Sequence, residues 1–461
     1  MRVRIEPGGR LRGTIRVPGD KSIAHRWLIL AATARGPSSL VELPASLDVR
    51  STAACLASIT GKARPALQAW ASKDGAPAEG HRSTWNVEVE GATEAGAGRA
   101  LEVDGEGRGS LSQASEPLDC GNSGTTMRTL MGIVASAPFR TVLIGDASLS
   151  ARPMERVAVP LRMMGAEVET TDEHAPVVVR GRGLEGVDFG ATTPSAQVKT
   201  AVLLAGLDAD GRTRVRESVP TRDHTERALL ALGAPIETAD GVSVRRFQHE
   251  GFSATVPGDP SSAAFLVAAA ALTGSEITIT GVGLNPSRLR FLDVMARMGV
   301  PTERVVTSEQ LGEPVGDLLV RGAGEVGPVR VESSELALVI DEIPVLALMA
   351  AHSPSDSRFL GAGELRVKES DRLEGIARGI RDIGGVAAVE GDDLVVAGGG
   401  LAGGRADARG DHRMAMAFAV SGLAARAPVE VDGMESADVS FPGFARTLAS
   451  IGARIEPVEG A

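Results

Sequence analysis

The sequence predicts an α/β protein with two similar domains, each built from three repeats of a strand-and-helix unit. Three observations predict this fold class. The chain has 461 residues, too many for one ordinary core. A motif that ends a helix with glycine recurs along it, and so do strongly apolar helices that begin with small polar residues. Hydrophobic residues make up 43% of the chain, which leaves ample apolar surface to bury.

The glycine motif is an amphipathic segment that closes with an apolar residue, glycine and a small residue, and then runs into a short strand. Glycine is expected at such a place because it adopts the left-handed conformation that ends many helices. Consecutive copies are 68, 66, 85 and 68 residues apart, and their glycines are Gly165, Gly233, Gly299, Gly384 and Gly452. A degraded earlier copy is expected at 51–61.

Each repeat also has a helix that is apolar on nearly all sides, which is typical of a buried helix. Six segments fit, and they begin near Asp20, Cys120, Thr193, Asp259, Asp341 and Gly410. The turn Val-Pro-Gly-Asp at 17–20 recurs at 256–259, where the second trio begins. The predicted domains are therefore 20–255 and 256–461, and the strands between Val3 and Val17 could belong to either.

Residues 60–118 depart from the repeat. The segments 62–84 and 91–116 are rich in Gly, Ala, Ser and charge, with little periodicity. They predict surface loop insertions around a strand at 85–89, and no chemistry is expected there.

Composition excludes several classes of partner. The net charge of −11 repels nucleic acid and acidic membranes, and the chain has 3% aromatic residues and no Tyr for base stacking. Cys55 and Cys120 are too few for a disulfide framework and lack metal-ligand spacing, which indicates a reducing cytoplasm. The N-terminus shows no apolar signal core, and the longest apolar run, 263–272, is too short to cross a bilayer.

Polar residues at the starts of the buried helices are the candidates for chemistry, because unpaired N–H groups and the helix macrodipole favour an anion there. Ser261, Ser262 and Asp20 are expected mainly to cap helices. Capping does not explain the cations, since a cation near a helix N-terminus opposes the dipole. Each taken singly could be a solvated surface charge, but as a group they indicate an anion site: Lys21, Arg26, Arg152, Lys199, Arg222 and Arg413.

The densest polar stretch is 364–373. Lys368 and Arg372 are four apart and are expected to share a helix face, with Glu369 between them. This is either a salt-bridged helix start or a phosphate or carboxylate clamp around an acid/base group. Asp341 and Glu342 interrupt an apolar segment, and because burying a carboxylate is costly, a catalytic or capping use is expected.

His25 and His412 each stand beside an arginine, and both are read as lone structural histidines because no His, Cys and Asp set has metal spacing. The chain has no dinucleotide-binding glycine fingerprint after a strand, no Walker loop and no nucleophile elbow. The residues alone thus predict a two-domain enzyme or binder for a multiply anionic ligand.

Seven motifs together resemble the 5-enolpyruvylshikimate-3-phosphate (EPSP) synthase family. They lie at 18–26, 121–125, 195–197, 222–226, 340–344, 365–372 and 411–413. The resemblance covers nearly the whole chain except the segments between 60 and 118. It implies two domains, each of three βαβαββ units with buried parallel helices in an inside-out α/β barrel, and an active site in the interdomain cleft. It also implies that residues 1–19 belong with 256–461.

The reaction implied by the resemblance transfers the enolpyruvyl group of phosphoenolpyruvate to the 5-hydroxyl of shikimate 3-phosphate, with release of phosphate. Neither a metal nor an organic cofactor is implied, and the expected state is a cytoplasmic monomer. By the same resemblance, Asp341 would be the base on the 5-hydroxyl. Lys21 or Glu369 would protonate the enol carbon, with Lys368 in support.

The resemblance also implies binding roles. Shikimate 3-phosphate would be held by Ser22, Arg26, Ser195 and Arg222, and both substrates by Gln197. Phosphoenolpyruvate would be surrounded by Lys21, Gly124, Arg152, Arg372 and Arg413. The remaining substrate-binding positions are Asn122, Thr125 and Ala196. Two phosphates and two carboxylates must come together, so cations and helix N-termini suit the task.

The chain departs from the family pattern at two places. Val439 occupies a position where some members have lysine, so one phosphate contact is missing. The arginine that part of the family places at Ser148 is expected at Arg152 instead.

Gly124 implies inhibition by glyphosate, because members with alanine there resist the inhibitor. The bland alternative is that Gly124 only permits a tight helix start.

Two alternative functions are a related transferase and a binding protein. The related UDP-N-acetylglucosamine enolpyruvyl transferase carries a reactive cysteine in a loop that corresponds to 145–153, and here Ala147 stands about where it would fall. The other alternative is a non-catalytic anion-binding protein on the same scaffold. The presence of Asp341, Glu369 and Lys21 together favours the enzyme.

Overall fold

Short strands and helices alternate along the chain in the computed structural model, which describes residues 1–72 and 100–458. The strands are β1 (Arg2–Glu6), β2 (Arg12–Arg16), β3 (Arg35–Val41), β4 (Leu101–Glu106), β5 (Leu118–Asp119), β6 (Arg140–Ile144), β7 (Glu167–Thr171), β8 (His174–Arg180), β9 (Asp188–Ala191), β10 (Arg212–Glu217), β11 (Val242–Arg245), β12 (Ser253–Thr255), β13 (Glu276–Gly283), β14 (Thr302–Gln310), β15 (Glu313–Arg321), β16 (Arg330–Val331), β17 (Ser357–Phe359), β18 (Ala387–Glu390), β19 (Asp393–Val396), β20 (Gly404–Asp407), β21 (Val429–Asp432) and β22 (Arg454–Pro457).

The helices fall between these strands, and three short 3-10 turns lie at Arg108–Ser110, Ala362–Val367 and Met434–Val439. The helices are α1 (Lys21–Thr33), α2 (Leu47–Ile59), α3 (Arg64–Ala71), α4 (Gly124–Val134), α5 (Ala147–Ser150), α6 (Glu155–Met163), α7 (Ala196–Gly206), α8 (His224–Ala231), α9 (Pro260–Leu272), α10 (Arg290–Arg297), α11 (Ser333–Val339), α12 (Ile343–Ala350), α13 (Arg372–Asp382), α14 (His412–Gly422) and α15 (Phe444–Ser450).

The chain divides into two units. The N-terminal unit comprises Gly19–Pro257 and Glu309–Glu313, and the C-terminal unit comprises Met1–Pro18, Gly258–Ser308 and Pro314–Ala461. The chain passes between them inside the two Val-Pro-Gly-Asp turns and again at both ends of Glu309–Glu313. Each turn ends in an aspartate whose side chain accepts a hydrogen bond from a backbone N–H of the helix that follows.

Within the described residues, each unit contains three sheets. Their strand orders are β12-β3-β4, β5-β6-β8-β7 and β11-β10-β9 in the N-terminal unit, and β14-β15-β13-β2, β16-β17-β19-β18 and β20-β21-β1-β22 in the C-terminal unit. Every sheet joins one parallel pair to antiparallel neighbours. The strands of the N-terminus serve the C-terminal unit, because β1 lies between β21 and β22 and β2 pairs with β13.

Six buried helices, three in each unit, confirm the predicted repeat. They are α1, α4 and α7 in the N-terminal unit and α9, α12 and α14 in the C-terminal unit. All 13 residues of α9 and all 8 of α12 are buried, and α9, α12 and α14 pack on one another. The surface helices are amphipathic instead, as in α13, where Leu373, Ile376 and Ile380 face the core.

The five recurring glycines take the conformation that the motif predicts. Each lies two residues after the last residue of its helix and has a positive φ, between 77° and 112°. They follow α6, α8, α10, α13 and α15. Glycine is favoured there because a side chain would strain this backbone region.

Residues 60–118 are not all loop, contrary to the prediction. Helix α3 buries Leu67, and strand β4 pairs antiparallel with β3 from Glu106 to Leu101. The inward-facing residues of β4 include Gly105, where a Cβ would lie 2.5 Å from the backbone oxygen of Ala34. Burial alternates along the strand, but its third inward position is Gly105 and not a large apolar residue. The strand predicted at 85–89 lies outside the described residues.

Candidate active site

Three buried helices of the N-terminal unit begin with residues that were predicted to bind substrate. The first turns of α1, α4 and α7 carry Ser22, Thr125 and Gln197. Each helix start is capped by a side-chain oxygen that accepts a hydrogen bond from a backbone N–H, and the capping residues are Asp20, Ser123 and Ser195. The N–H groups that remain and the macrodipole favour an anion there.

Hydrogen bonds join the three helix starts. Gln197 on α7 donates from Nε2 to Oγ1 of Thr125 on α4, at 2.9 Å. Arg26 on α1 donates to Oγ1 of Thr200 on α7 at 2.9 Å, and to the backbone oxygen of Ala196 at 3.5 Å. The predicted residues of α1, α4 and α7 therefore lie in one region of the N-terminal unit.

Arg26 is only 3% exposed. It donates to the hydroxyls of Thr225 and Thr200 and to the backbone oxygen of Ser22. Its burial lowers the pKa of the guanidinium to about 10. These contacts fasten α1 to α7 and α8, so Arg26 supports the helix starts from inside the unit. Contact between Arg26 and shikimate 3-phosphate stays a prediction.

Lys21 and Arg222 lie at the start of α1. The Nζ of Lys21 is 2.9 Å from Oδ2 of Asp48 on α2. A terminal nitrogen of Arg222 is 3.4 Å from Oγ of Ser22. The sequence did not single out Asp48, because an acidic residue in the first turn of a helix is ordinarily explained by the macrodipole.

Arg152 lies beside the start of α4, where the resemblance required an arginine. It donates to Oδ1 of Asn122 at 2.8 Å and to Oγ of Ser148 at 3.2 Å. A Cβ at Gly124 would be 3.5 Å from a terminal nitrogen of Arg152. The positions of Ser148 and Arg152 are therefore neighbours in space, and either could bring an arginine to Gly124.

Arg128 was missed by the sequence analysis. It lies one turn after Gly124 on α4, and a Cβ at Gly124 would be 3.1 Å from the Nη1 atom of Arg128. It donates to Oε1 of Gln197 at 2.6 Å and to the backbone oxygen of Pro153 at 3.2 Å. Burial, and then the nearby cations Arg156 and Arg152, lower its pKa to about 9. The i, i+4 spacing from Gly124 was the available signal.

Lys199 does not belong to this region. Its side chain is 3% exposed and forms ion pairs with Glu217 and Glu226, each at 2.7 Å. Burial opposes the charge, but the two glutamates outweigh burial and raise the pKa of Lys199. The predicted helix-start cation is therefore part of a buried ion pair, and the motif at 222–226 supplies one partner.

The C-terminal unit gathers a second group of predicted residues around Arg372, the first residue of α13. Its guanidinium is 1% exposed and lies 2.8 Å from Asp411, 2.7 Å from Glu369 and 3.8 Å from Asp341. Burial opposes this charge, but Glu369 and Asp411 outweigh burial and raise the pKa of Arg372. Asp411 is buried too, yet Arg372 lowers the pKa of its carboxyl.

Asp341 lies between two arginines. Its carboxylate, 19% exposed, is 3.8 Å from Arg372 and 3.7 Å from Arg413. Arg413 also donates to the backbone oxygen of Asp341 at 3.0 Å. Two guanidiniums therefore flank this predicted catalytic carboxylate. Partial exposure leaves it able to meet a substrate hydroxyl.

Lys368 and Arg372 do not share a helix face, contrary to the prediction. The 3-10 turn ends at Val367, Lys368 is extended, and α13 begins only at Arg372. Asp371 sets that start by accepting a hydrogen bond from the backbone N–H of Glu374. Lys368 still interacts with Asp341 in the residues around Arg372. Burial lowers the pKa of the Lys368 ammonium, and the charge of Asp341 opposes this shift.

The second of the two adjacent carboxylates, Glu342, is structural. It is buried and accepts a hydrogen bond from the hydroxyl of Ser261. Arg288 donates to Ser261 at 2.8 Å and pairs with Asp259 at 2.9 Å. Capping of α9 by Ser261 and Ser262 was wrong: Asp259 is the cap, and the serine hydroxyls bind neighbouring carboxylates.

The two histidines have structural contacts. Nδ1 of His25 is 2.7 Å from Oγ1 of Thr52, and burial lowers the pKa of this imidazole to about 3. His412 contacts the hydroxyl of Ser440 through its Nδ1.

Across residues 1–72 and 100–458, no three His, Cys, Asp or Glu side chains converge as metal ligands would. In the same ranges, no helix is both long and apolar enough to cross a membrane.

Two similar α/β units, with six buried helices and cations around several helix starts, define the enolpyruvyl transferase fold. Comparisons with known proteins narrow this class. The sequence profile of EPSP synthase (3-phosphoshikimate 1-carboxyvinyltransferase) matches residues 5–71 and 88–448. The chain belongs to the EPSP synthase family.

Individual relatives agree over the full length. The chain is 40% identical over 455 residues to the 3-phosphoshikimate 1-carboxyvinyltransferase of Acidithiobacillus ferrooxidans, which covers 98% of each chain. It is 41% identical over 456 residues to that of Methylococcus capsulatus, covering 98% of this chain and 97% of the other. The solved EPSP synthase from Acinetobacter baumannii matches with a TM-score of 0.82 and 34% identity over 99% of both chains. The resemblance stated from the motifs is confirmed.

Proposed function

We propose that this chain transfers the enolpyruvyl group of phosphoenolpyruvate to the 5-hydroxyl of shikimate 3-phosphate and releases phosphate, as a transferase of the shikimate pathway. The observation that carries the proposal is the setting of Asp341, a partly exposed carboxylate flanked by Arg372 and Arg413. A protein that only bound anions would gain nothing from a carboxylate among its cations, since it would repel the ligand.

The N-terminal unit supplies groups for the phosphate of shikimate 3-phosphate. Ser22 and Arg222 lie 3.4 Å apart at the start of α1, and Ser195 caps α7. Gln197, beside Thr125, serves both substrates. Charge-assisted hydrogen bonds from a guanidinium, together with helix N–H groups, suit a phosphate dianion.

Phosphoenolpyruvate is assigned to Lys21, Gly124, Arg152, Arg372 and Arg413. Asn122 orients Arg152 through the 2.8 Å hydrogen bond described above. Gly124 leaves the start of α4 without a side chain, so a carboxylate or phosphate can approach its N–H groups.

The chemistry needs one proton to leave the 5-hydroxyl and one to reach the enol carbon. Asp341 accepts the first, because it is a partly exposed carboxylate beside two arginines. Lys21 suits the second better than Glu369. Lys21 carries an ammonium group, which is a proton donor, whereas the carboxylate of Glu369 is already paired with Arg372. When phosphate leaves the addition intermediate, the carbon that gained the proton must lose one to restore the double bond, and we assign Glu369 as the base that takes it.

Three properties accompany the proposed function: inhibition by glyphosate, a monomeric state and a cytoplasmic location. The unhindered start of α4 at Gly124 supports the first. Cys55 and Cys120 are free thiols, which agrees with a reducing compartment. A hydrogen bond with Cys55, and then burial, raise the pKa of the Cys120 thiol. Cys120 is therefore a poor nucleophile, unlike the reactive cysteine of the UDP-N-acetylglucosamine enzyme.

The test is phosphate release from phosphoenolpyruvate with either shikimate 3-phosphate or UDP-N-acetylglucosamine as acceptor. Release is expected only with shikimate 3-phosphate. Release only with the sugar nucleotide would replace the proposal with the related transferase, and release with neither would favour an anion-binding protein. The same assay is applied to Asp341→Asn, which is expected to lose most of the release. Asp371→Asn is its matched control and is expected to keep the release, because Asp371 caps α13 and is exposed.

A further inference from the structure

The amide of Gln197 is held at both of its ends. Its Nε2 donates to Oγ1 of Thr125 at 2.9 Å, and its Oε1 accepts from Arg128 at 2.6 Å. Oxygen and nitrogen of a glutamine amide are hard to tell apart by shape, so the partners decide the orientation. Arginine has only donors, and therefore the atom facing Arg128 must be the oxygen.

This orientation fixes what Gln197 can offer. With Oε1 committed to Arg128 and one N–H committed to Thr125, the group that remains is the second N–H of the amide. A free donor suits a ligand made of phosphate and carboxylate oxygens. If the amide turned over, it would present an acceptor to those oxygens and repel them.

Arg128 has no carboxylate partner among the described residues. Its two hydrogen bonds go to neutral oxygens, those of Gln197 and Pro153, and its Nε is buried without a partner. The nearby charged side chains that act on Arg128 are Arg152 and Arg156, both cations. A partly buried guanidinium beside two other cations is unfavourable, which indicates a role for Arg128 beyond packing. Its terminal nitrogen also lies where a methyl at Gly124 would touch it.

We infer that Arg128 is a positioning residue for substrate binding: it locks the Gln197 amide with its N–H toward the substrates. The inference deepens the proposed function and rests on it. Arg128 acts through Gln197, whereas Arg152 acts on the ligand directly. The positive charge of Arg128 adds to the field at the start of α4 but is secondary to the hydrogen bond.

A double-mutant cycle with binding as the readout tests this role. The affinity for shikimate 3-phosphate is measured by isothermal titration calorimetry for wild type, Arg128→Ala, Gln197→Ala and the double variant. Loss of a hydrogen bond to a charged group predicts that Arg128→Ala weakens binding about 10- to 100-fold. In the Gln197→Ala background the same change is expected to weaken binding less than about threefold, because the two residues act as one.

Two further variants separate positioning from charge and from folding. Arg128→Lys keeps the charge and a donor, and is expected to recover part of the affinity. Arg156→Ala removes a nearby charge without touching the amide, and is expected to change the affinity less than about threefold. Thermal unfolding of each variant identifies any loss that comes from misfolding.

Equal losses from Arg128→Ala in both backgrounds would overturn the inference, and so would an unchanged affinity. Turnover is measured on the same wild-type sample. Binding without turnover would refute the proposed function while the cycle still decides the role of Arg128, and absence of binding by the wild type would overturn both.

Discussion

Removal of the Arg372 guanidinium gives the sharpest measure of how the C-terminal unit is held together. In Arg372→Met, three carboxylates lose their shared cation. Their side chains differ in exposure: Asp411 is 0% exposed, Asp341 19% and Glu369 34%. The last two can regain water, so one fully buried carboxylate carries most of the loss. Breaking a buried ion pair on one side costs about 3–5 kcal/mol, and this is the predicted fall in unfolding free energy at pH 7.

The pH dependence identifies the cause. In the wild type the pKa of Asp411 is lowered, so its contribution to stability is present above its ordinary pKa and is lost as the pH falls. Without Arg372, burial dominates and the pKa of Asp411 lies above its ordinary value. The variant then gains stability relative to the wild type on acidification. The difference between the two proteins is expected to be largest at neutral pH and to shrink toward about pH 4.

Urea denaturation at several pH values measures this difference. Arg378→Met is the matched control: Arg378 is on the same helix but exposed, and its loss is expected to change stability by less than about 0.5 kcal/mol. A destabilisation by Arg372→Met that stays constant from pH 7 to pH 4 would refute the reasoning, because the penalty would then not come from an uncompensated carboxylate.

Three other substitutions test the proposed roles. Asp341→Asn is expected to lower kcat about 10²- to 10⁴-fold with little change in substrate affinity, since it removes a base and keeps the shape; steady-state kinetics would contradict this if only KM rose. Gly124→Ala places a methyl 3.1 Å from Arg128 and 3.5 Å from Arg152, and is expected to raise the inhibition constant of glyphosate more than it lowers turnover; equal inhibition constants would sink the idea. Asp48→Asn weakens the ion pair that orients Lys21, and a fall in kcat of about tenfold is expected from the loss of one charge-assisted hydrogen bond; unchanged kcat would remove Asp48 from the site.

The repeat and the buried helices could be predicted because their signals are local. A glycine two residues beyond a helix and an apolar run after a polar start are visible in any single segment. Strand β4 was not predicted, for the opposite reason: position 105 faces inward so close to the backbone of Ala34 that glycine stands where an apolar residue would have marked the strand. That requirement comes from a distant part of the chain, and composition at 91–116 conceals it.

The site was predicted as a set of residues and less well as a set of partners. Lys199 and Arg152 are both cations near helix starts, yet one is buried between Glu217 and Glu226 and the other lies beside Gly124. The difference lies in which side chains surround each one, and spacing along the chain does not carry it. Arg128 was missed for the same reason, since its partner Gln197 is 69 residues away.

The place of β1 has a consequence for how the protein is made. The ribosome synthesises this strand long before its neighbours β21 and β22, because Arg2 lies opposite Asp432. The N-terminal unit has all its sheet strands once β12 (Ser253–Thr255) has emerged, and all its residues once Glu313 has emerged. The interior strand of the β20-β21-β1-β22 sheet must wait unpaired until β21 and β22 have been synthesised. Closing so long a loop slows this pairing, so the C-terminal unit is expected to complete its fold later than the N-terminal unit.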